Sequence, residues 1–323
     1  MRVLVTGGAG YIGSVTVAHL LDRDHDVVVV DDLRSGHADL VPDGVPVIKA
    51  DVAEPDGYRN ALDGVDACVH FAASIEAGES MARPEAFFAN NTAGTLRLVA
   101  ALQDAGVGRF VLSSTAAVYG DPERVPIRED DATTPTNAYG ESKLLIERAL
   151  AWMARLRGMR CVALRYFNAS GATPARGEDH APESHLIPLI LVVAAGRRDH
   201  IKVFGTDYDT PDGTCVRDYV HVSDLADAHV RAVERDAERG LLVCNLGNGD
   251  GFSVRQVITT AREVTGHAIP AVDAPRRAGD PATLVASSAR AREHLGWLPQ
   301  HAELRGIVAS AWRWHRRRWG LHA

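Results

Sequence analysis

The sequence predicts an α/β protein built on a doubly wound parallel sheet, with a smaller, partly interleaved second domain towards the C-terminus. Short runs rich in valine, isoleucine and leucine alternate with helical patterns through the first half. Continuous apolar strands separated by amphipathic helices mean a parallel sheet covered on both faces. The chain also opens MRVLVTGGAGYIGS, a strand-like run that breaks into glycines and resumes as a helix. After about residue 168 the rhythm changes to Gly/Pro/Asp-rich loops such as GATPARGEDHAPESH and GTDYDTPDGTCVRD.

Taken in order, strands are expected at 2–6, 26–31, 45–50, 67–71, 109–113 and 161–167. Helices are expected at 11–23, 91–105 and 139–157, with a weak one near 58–62. These make residues 1–168 a dinucleotide-binding domain and 169–323 a substrate domain, a division that suits a chain of 323 residues at ~150 residues per domain. In the second part, LLVCNLG (241–247) reads as a strand and FSVRQVITTAREVTG (252–266) as a helix capped at Ser253.

Composition excludes several classes. A net charge of -7 and a pI near 6.0 leave no electrostatic footprint for nucleic acid. The one basic run, His315-Arg316-Arg317-Arg318, reads as a solvated helix end. The most apolar stretch, 186–195, is too short to span a bilayer and contains Pro188. Strand one begins at residue 2, before any signal-like run. Of the four scattered cysteines, Cys68, Cys161 and Cys244 lie in β-like runs and read as reduced core thiols. A cytoplasmic enzyme is expected.

Gly7, Gly10 and Gly13 follow a strand and open a helix. Glycine permits the tight turn and lets backbone N–H groups approach a pyrophosphate at the positive end of that helix. Eighteen residues past Gly13 stands Asp31, closing the run DVVVVD. A carboxylate there accepts hydrogen bonds from both adenosine ribose hydroxyls and repels a 2′-phosphate, which favours NAD over NADP. Asp51 serves equally as an adenine contact or a helix N-cap.

NAYGESKLL carries Tyr139 and Lys143 at i and i+4, on one helical face. An ammonium beside a phenol favours the phenolate, and such a tyrosine can act as general base on a substrate hydroxyl. Only Lys49, Lys143 and Lys202 are lysines in a chain whose other basic residues are arginines, so the lysine here is chemically selective. Upstream, VLSSTAAVYG sets Ser113, Ser114 and Thr115 at the carboxyl end of a strand, where open α/β sheets bind ligands. Thr115 is the expected hydroxyl partner of Tyr139.

TGGAGYIGS, SSTAAVYG, YGESK and RYFNASGA together resemble the extended short-chain dehydrogenase/reductases, and GTCVRDYVHVSDLADAH with PRRAGDPA narrows the resemblance to the UDP-glucose 4-epimerases. The resemblance implies a Rossmann-type fold and a homodimer through helices 91–105 and 139–157; no metal is expected, since no ligand spacing supports one. It implies catalysis by Thr115, Tyr139 and Lys143. For NAD it implies Gly7, Gly10, Tyr11, Ile12 and Gly13, then Asp31, Asp51, Val52, Phe71, Ala72, Ala73, Ser113, Tyr139, Lys143 and Tyr166. For the UDP-sugar it implies Thr115, Asn168, His185, Leu186, Phe204, Arg217, Tyr219, Arg277 and Asp280. Guanidinium forks match phosphate and an aromatic face stacks on a base.

Departures lie on the sugar side. His185 stands where asparagine is also seen, Ala169-Ser170 where larger or apolar residues are usual, and Ser74-Ile75-Glu76 where a lysine often appears. They leave the hexose open among glucose, N-acetylhexosamine and uronate types. Leu284, four residues after Asp280, fills a position where the family's tyrosine blocks an N-acetyl group; its other reading is strand core. A dehydratase needs an acid/base pair after the threonine, and Ala116-Ala117 cannot exchange protons. A net dehydrogenase and a non-catalytic NAD-sensing protein are the remaining alternatives. The loop GEDHAPESH reads as solvated, without metal-ligand spacing.

Overall fold

The computed structural model describes residues 1–236, 239–277 and 280–321; Ala278 and Gly279 of PRRAGDPA lie outside them. Strand β1 (Arg2–Thr6) turns through the glycines into α1 (Tyr11–Leu21) and returns as β2 (Asp26–Asp31). Then come β3 (Val47–Lys49), β4 (Ala67–His70), α2 (Ala77–Ala82) and α3 (Pro84–Phe87). A π-helical turn, Phe88–Ala93, leads into α4 (Gly94–Asp104), followed by β5 (Arg109–Thr115), α5 (Ala138–Arg157) and β6 (Arg160–Tyr166).

The later elements are β7 (Asn168–Ser170), α6 (Leu186–Ala194), β8 (Ile201–Phe204), β9 (Val216–Arg217), β10 (Tyr219–His221) and α7 (Val222–Glu234). They continue through β11 (Gly240–Leu246), β12 (Phe252–Ser253), α8 (Val254–Thr265), β13 (Ala271–Ala274), β14 (Thr283–Leu284), α9 (Ala289–Leu295) and α10 (Leu304–Arg318).

The main sheet has seven strands in the order β11-β6-β5-β4-β1-β2-β3, every pairing parallel. Strand alternation divides its core. Val3 and Val5 face Val17 and Leu20 of α1 with Leu225 and Ala228 of α7. Leu4 faces the opposite layer, with Leu98 and Leu102 of α4 and Ile146 and Leu150 of α5. Each such side chain contributes ~1.5–3 kcal/mol by leaving water. A separate core joins α6, α8 and α10 through Ile190, Leu191, Val257, Ile258, Ile307 and Val308. Ser253 caps α8 in a reciprocal box with Gln256.

Several expectations change. The strand expected at 45–50 shortens to β3, since Pro46 has no N–H to give a ladder. The weak helix at 58–62 is a 3₁₀ turn, Arg59–Leu62. The strand at 241–247 becomes β11 and pairs with β6 in the main sheet, so the chain returns to the first layer after residue 168. Its apolar run LLVCNL suits a strand covered on both faces. The basic C-terminal run ends α10 with Arg317 and Arg318 exposed, as expected, but His315 is buried and Arg318 pairs with Asp39 and Asp179.

Candidate active site

The glycine turn is dictated by contact. Gly7 has φ +71°, and a Cβ there would lie 2.5 Å from the Ala72 nitrogen; a Cβ on Gly13 would lie 2.1 Å from the Gly7 carbonyl oxygen. The turn therefore packs backbone against backbone beside Phe71 and Ala72, whose N–H groups both donate to the Thr6 carbonyl. Gly10 precedes α1, and no side chain caps that helix, which leaves N–H groups of its first turn for an anion. Tyr11 donates its hydroxyl to the Gly171 carbonyl at 2.6 Å, and Ile12 packs under β1.

Asp31 lies buried at the end of β2 and accepts from the Ala9 N–H at 3.0 Å and the Leu33 N–H at 2.9 Å. Each oxygen keeps a lone pair for a ribose hydroxyl. Burial raises its pKa against these two backbone donors. Arg34, the nearest guanidinium in sequence, is held by Asp32 at 2.5 Å and reaches Asp51 at 3.5 Å. Asp51 caps its own turn, accepting from Ala53 N–H at 2.8 Å. Val52 is buried and its carbonyl accepts from Tyr58. Ala73 precedes Ser74, whose N–H and carbonyl are both held by the buried Asn91.

The glycine cradle, the free helix N-terminus and the carboxylate at the end of β2 fit NAD, at the carboxyl end of the parallel strands. On the same rim β5 ends at Thr115, whose hydroxyl oxygen accepts from Ala117 N–H at 3.1 Å and so keeps its own proton to donate. Asn137 caps α5 by accepting from Gly140 N–H at 2.8 Å, fixing Tyr139 in the first turn, at the positive end of a 20-residue helix. A Cβ on Gly140 would come within 2.5 Å of the Ala117 carbonyl oxygen. That glycine lets α5 dock on the Thr115 turn.

Thr115 is close enough to Tyr139 to lower the phenol's pKa, while the Lys143 ammonium is directed to the Ser113 carbonyl. Burial pushes the Tyr139 hydroxyl up to about 12, Thr115 pulls it back and Glu76 pushes it further. Lys143 is buried and donates to the Ser113 carbonyl at 2.9 Å. Burial holds its ammonium down to about 8, against the pull of Glu147. Ser113 and Tyr166 share a short hydrogen bond at the ends of β5 and β6.

Beneath this site lies a buried network that sequence reasoning missed. Glu147, one turn past Lys143, accepts from Ser114 at 2.5 Å and from Arg165 Nε at 3.0 Å. Arg165 also donates to Tyr119 at 2.9 Å, and Tyr119 to Asn245 at 2.6 Å. The i+4 spacing from Lys143 put Glu147 on the buried face, which was its only signal. Asn91 was missed as well; it sits in the π-helical turn and donates to Ser142 at 3.1 Å, tying α5 to the Ser74 segment.

Of the expected substrate residues, Tyr219 lies in the second core and Leu186 packs against it. Arg217 and Asp280 form an ion pair, and the Arg277 guanidinium lies 4.1 Å from the Phe204 ring centre. Asn168 aligns with Tyr219 across β7 and β10, and Tyr219 is buried in the core. His185 is the N-cap residue before Leu186, the first residue of α6. Leu284 lies half-buried on β14 against the cluster of Ala116, Val118, Tyr119, Ile127 and Leu144, on the threonine side of the site. The GEDHAPESH loop differs from its solvated reading. Glu178, His180, Glu183 and His185 converge, with ligand atoms within 4.8 Å of one another.

Comparison with known proteins shows the family. A family model described as NAD dependent epimerase/dehydratase matches residues 3–247. A relative from Streptomyces lividans named UDP-glucose 4-epimerase is 51% identical over 97% of this chain and 96% of its own. The solved UDP-glucose-4-epimerase of Stenotrophomonas maltophila, with bound NAD and formylated UDP-arabinopyranose, is 39% identical over all of both chains, with a TM-score of 0.95. That of Brucella ovis in complex with NAD is 43% identical over 96% of this chain and 97% of its own, with a TM-score of 0.93. The chain belongs to the NAD dependent epimerase/dehydratase family and, within it, to the UDP-glucose 4-epimerases. It is an NAD-using isomerase.

Proposed function

We propose that this enzyme inverts C4 of a UDP-hexose, interconverting UDP-glucose and UDP-galactose, with NAD kept through the cycle. The observation that carries the reading is Tyr139 set beside Thr115, which lowers its pKa, on the rim that also holds the glycine cradle and Asp31. Tyr139, as the phenolate, takes the proton of the sugar 4-hydroxyl and becomes the phenol; the Thr115 hydroxyl donates to the phenolate before that transfer. NAD, when bound, would supply a reversible hydride acceptor for C4. Asp31 and the turn Gly7–Gly13 hold it, with Val52, Ala73 and Tyr166 lining the same rim. Lys143 contributes positive charge under Ser113.

Arg217 and Arg277 suit the diphosphate, Phe204 the uracil, Asp280 the uridine ribose, and Asn168, His185 and Leu186 the sugar-phosphate side, with Tyr219 supporting Asn168. Anchoring through the UDP arm lets the 4-keto hexose turn over without escaping, and redox is neutral overall. Incubating the purified protein with a panel of UDP-hexoses and assaying C4 inversion tests the reading. Accumulation of free NADH in proportion to product contradicts it.

A second substrate class is favoured by Leu284. Shorter than tyrosine and half-buried beside the Thr115 turn, it leaves room for an N-acetyl group at C2. Activity on UDP-N-acetylglucosamine, removed selectively by Leu284→Tyr, is the expected outcome; equal rejection by both proteins contradicts it. We also assign residues 1–168 to cofactor binding and 169–323 to the UDP-sugar, and propose a homodimer through α4 and α5. Exposed Leu96, Trp152 and Leu156 on these helices support that interface. The four free, buried cysteines suit work in the cytoplasm.

A further inference from the structure

We propose that Glu178, His180, Glu183 and His185 form a divalent-metal site, filled by zinc, that fastens the loop before α6 to the segment before α2. Four side chains from one loop, two imidazoles and two carboxylates, bring ligand atoms within 4.8 Å of one another. Donors around one zinc ion at ~2.1 Å stand ~3–4 Å apart, so a small contraction closes the set. Neighbouring members already meet as ion pairs, Glu178 with His180 at 2.8 Å, His180 with Glu183 at 3.9 Å and Glu183 with His185 at 2.9 Å.

The hydrogen bonds around the cluster aim the donors inward. His180 faces Glu178 through Nδ1 at 2.8 Å and Glu76 through Nε2 at 3.0 Å. With its Nε2 proton given to Glu76, Nδ1 either carries a second proton, which the carboxylates on both sides favour, or offers its lone pair to a metal. Two lone pairs at that distance repel unless a cation lies between them, a proton or a metal. Glu76 is then the outer carboxylate that orients a metal-bound histidine, and it also accepts from Ser184 at 2.6 Å.

The carboxylates are fixed too. Glu178 accepts from the N–H groups of Asp179 at 2.9 Å and His180 at 3.1 Å. Glu183 accepts from those of Ser184 at 2.7 Å and His185 at 2.6 Å. His185 faces Glu183 through Nδ1 at 2.9 Å, and its Nε2, on the other side of the ring, stays available to a substrate oxygen. The side chains of Glu178, His180 and Glu183 are 11–17% exposed. Two imidazoles with two carboxylates select a borderline divalent ion over magnesium or calcium. The loop and Glu76, distant in sequence, would be joined beside the catalytic tyrosine, which Glu76 influences electrostatically.

The test strips the purified holoenzyme with a chelator and titrates it with Zn²⁺ and, separately, Co²⁺. Metal content, the visible spectrum of the cobalt form and the melting temperature are read. The expected result is one equivalent per chain, a four-coordinate cobalt spectrum and a rise in melting temperature. All three should vanish in the folded Glu178→Gln/His180→Gln double variant. Glu76→Gln should keep the stoichiometry and weaken affinity ~10–100-fold. A stripped protein that takes up no stoichiometric metal, or a double variant that binds as wild type does, overturns the proposal and leaves a set of histidine–carboxylate ion pairs.

Discussion

Tyr139 is positioned by two short local signals: the Asn137 cap that starts its helix and the Gly140 contact that docks it on the Thr115 turn. Replacing it with phenylalanine should lower kcat by ~10² or more, the usual worth of a positioned acid/base. KM for the UDP-sugar should barely move, because the phenol acts on the reacting hydroxyl and not on the UDP anchor. Steady-state kinetics checks this, and an unchanged kcat would remove Tyr139 from the mechanism. Lys143 adds a pH dependence. Its folded pKa is about 8 against ~10.4 for a free lysine, so between these values the unfolded chain binds more protons and stability rises with pH. Tyr139, at about 12 when folded, acts oppositely only above ~10. In urea titrations of cofactor-free protein, Lys143→Met should flatten the rise between pH 8 and 9.5; parallel slopes in both proteins would contradict it. The i, i+4 spacing was legible in the sequence. The target of the ammonium was not, because Ser113 offers a backbone carbonyl that no residue pattern announces.

At the scale of elements, β5, β6 and α5 are pinned together by a buried ion pair. Glu147 and Arg165 are 4% and 6% exposed and meet at 2.5 Å, with Ser114 and Tyr119 completing their hydrogen bonds. Glu147→Ala would leave a guanidinium buried without its counter-charge, and should destabilise the protein by ~3–5 kcal/mol, read as a lower denaturant midpoint. A loss below ~1 kcal/mol would show that water or another acid compensates. Elements whose pattern is set locally were readable: β1 and β2 from unbroken apolar runs, and α8 from its Ser253 cap. Those set by tertiary pairing were not. β11 looks in sequence like any apolar strand, and only its register against β6 puts it in the main sheet. The exposed end of α10 was readable in His315-Arg316-Arg317-Arg318, but the pairing of Arg318 with Asp39 and Asp179, far away in sequence, was not.

Over the whole molecule, the fold was legible because parallel strands repeat one pattern, and the substrate side was less so because its residues come from separate loops. Phe204, Arg217, Arg277 and Asp280 share no periodicity, yet pack as a stacked pair and an ion pair. The four thiols are buried throughout, and burial pushes Cys161 and Cys244 up to about 12. An aromatic disulfide reagent at pH 8 should label none in the native protein and all four after unfolding; fast labelling of the native state would mean a more open fold. The central claim is that NAD is a resident tool and not a consumed reagent. Its most direct test follows many turnovers of UDP-galactose by purified protein without added cofactor, recording UDP-glucose and free NADH together. UDP-glucose should form to equilibrium with no NADH released; NADH rising mole for mole with product, or a requirement for fresh NAD at each turnover, would contradict the account.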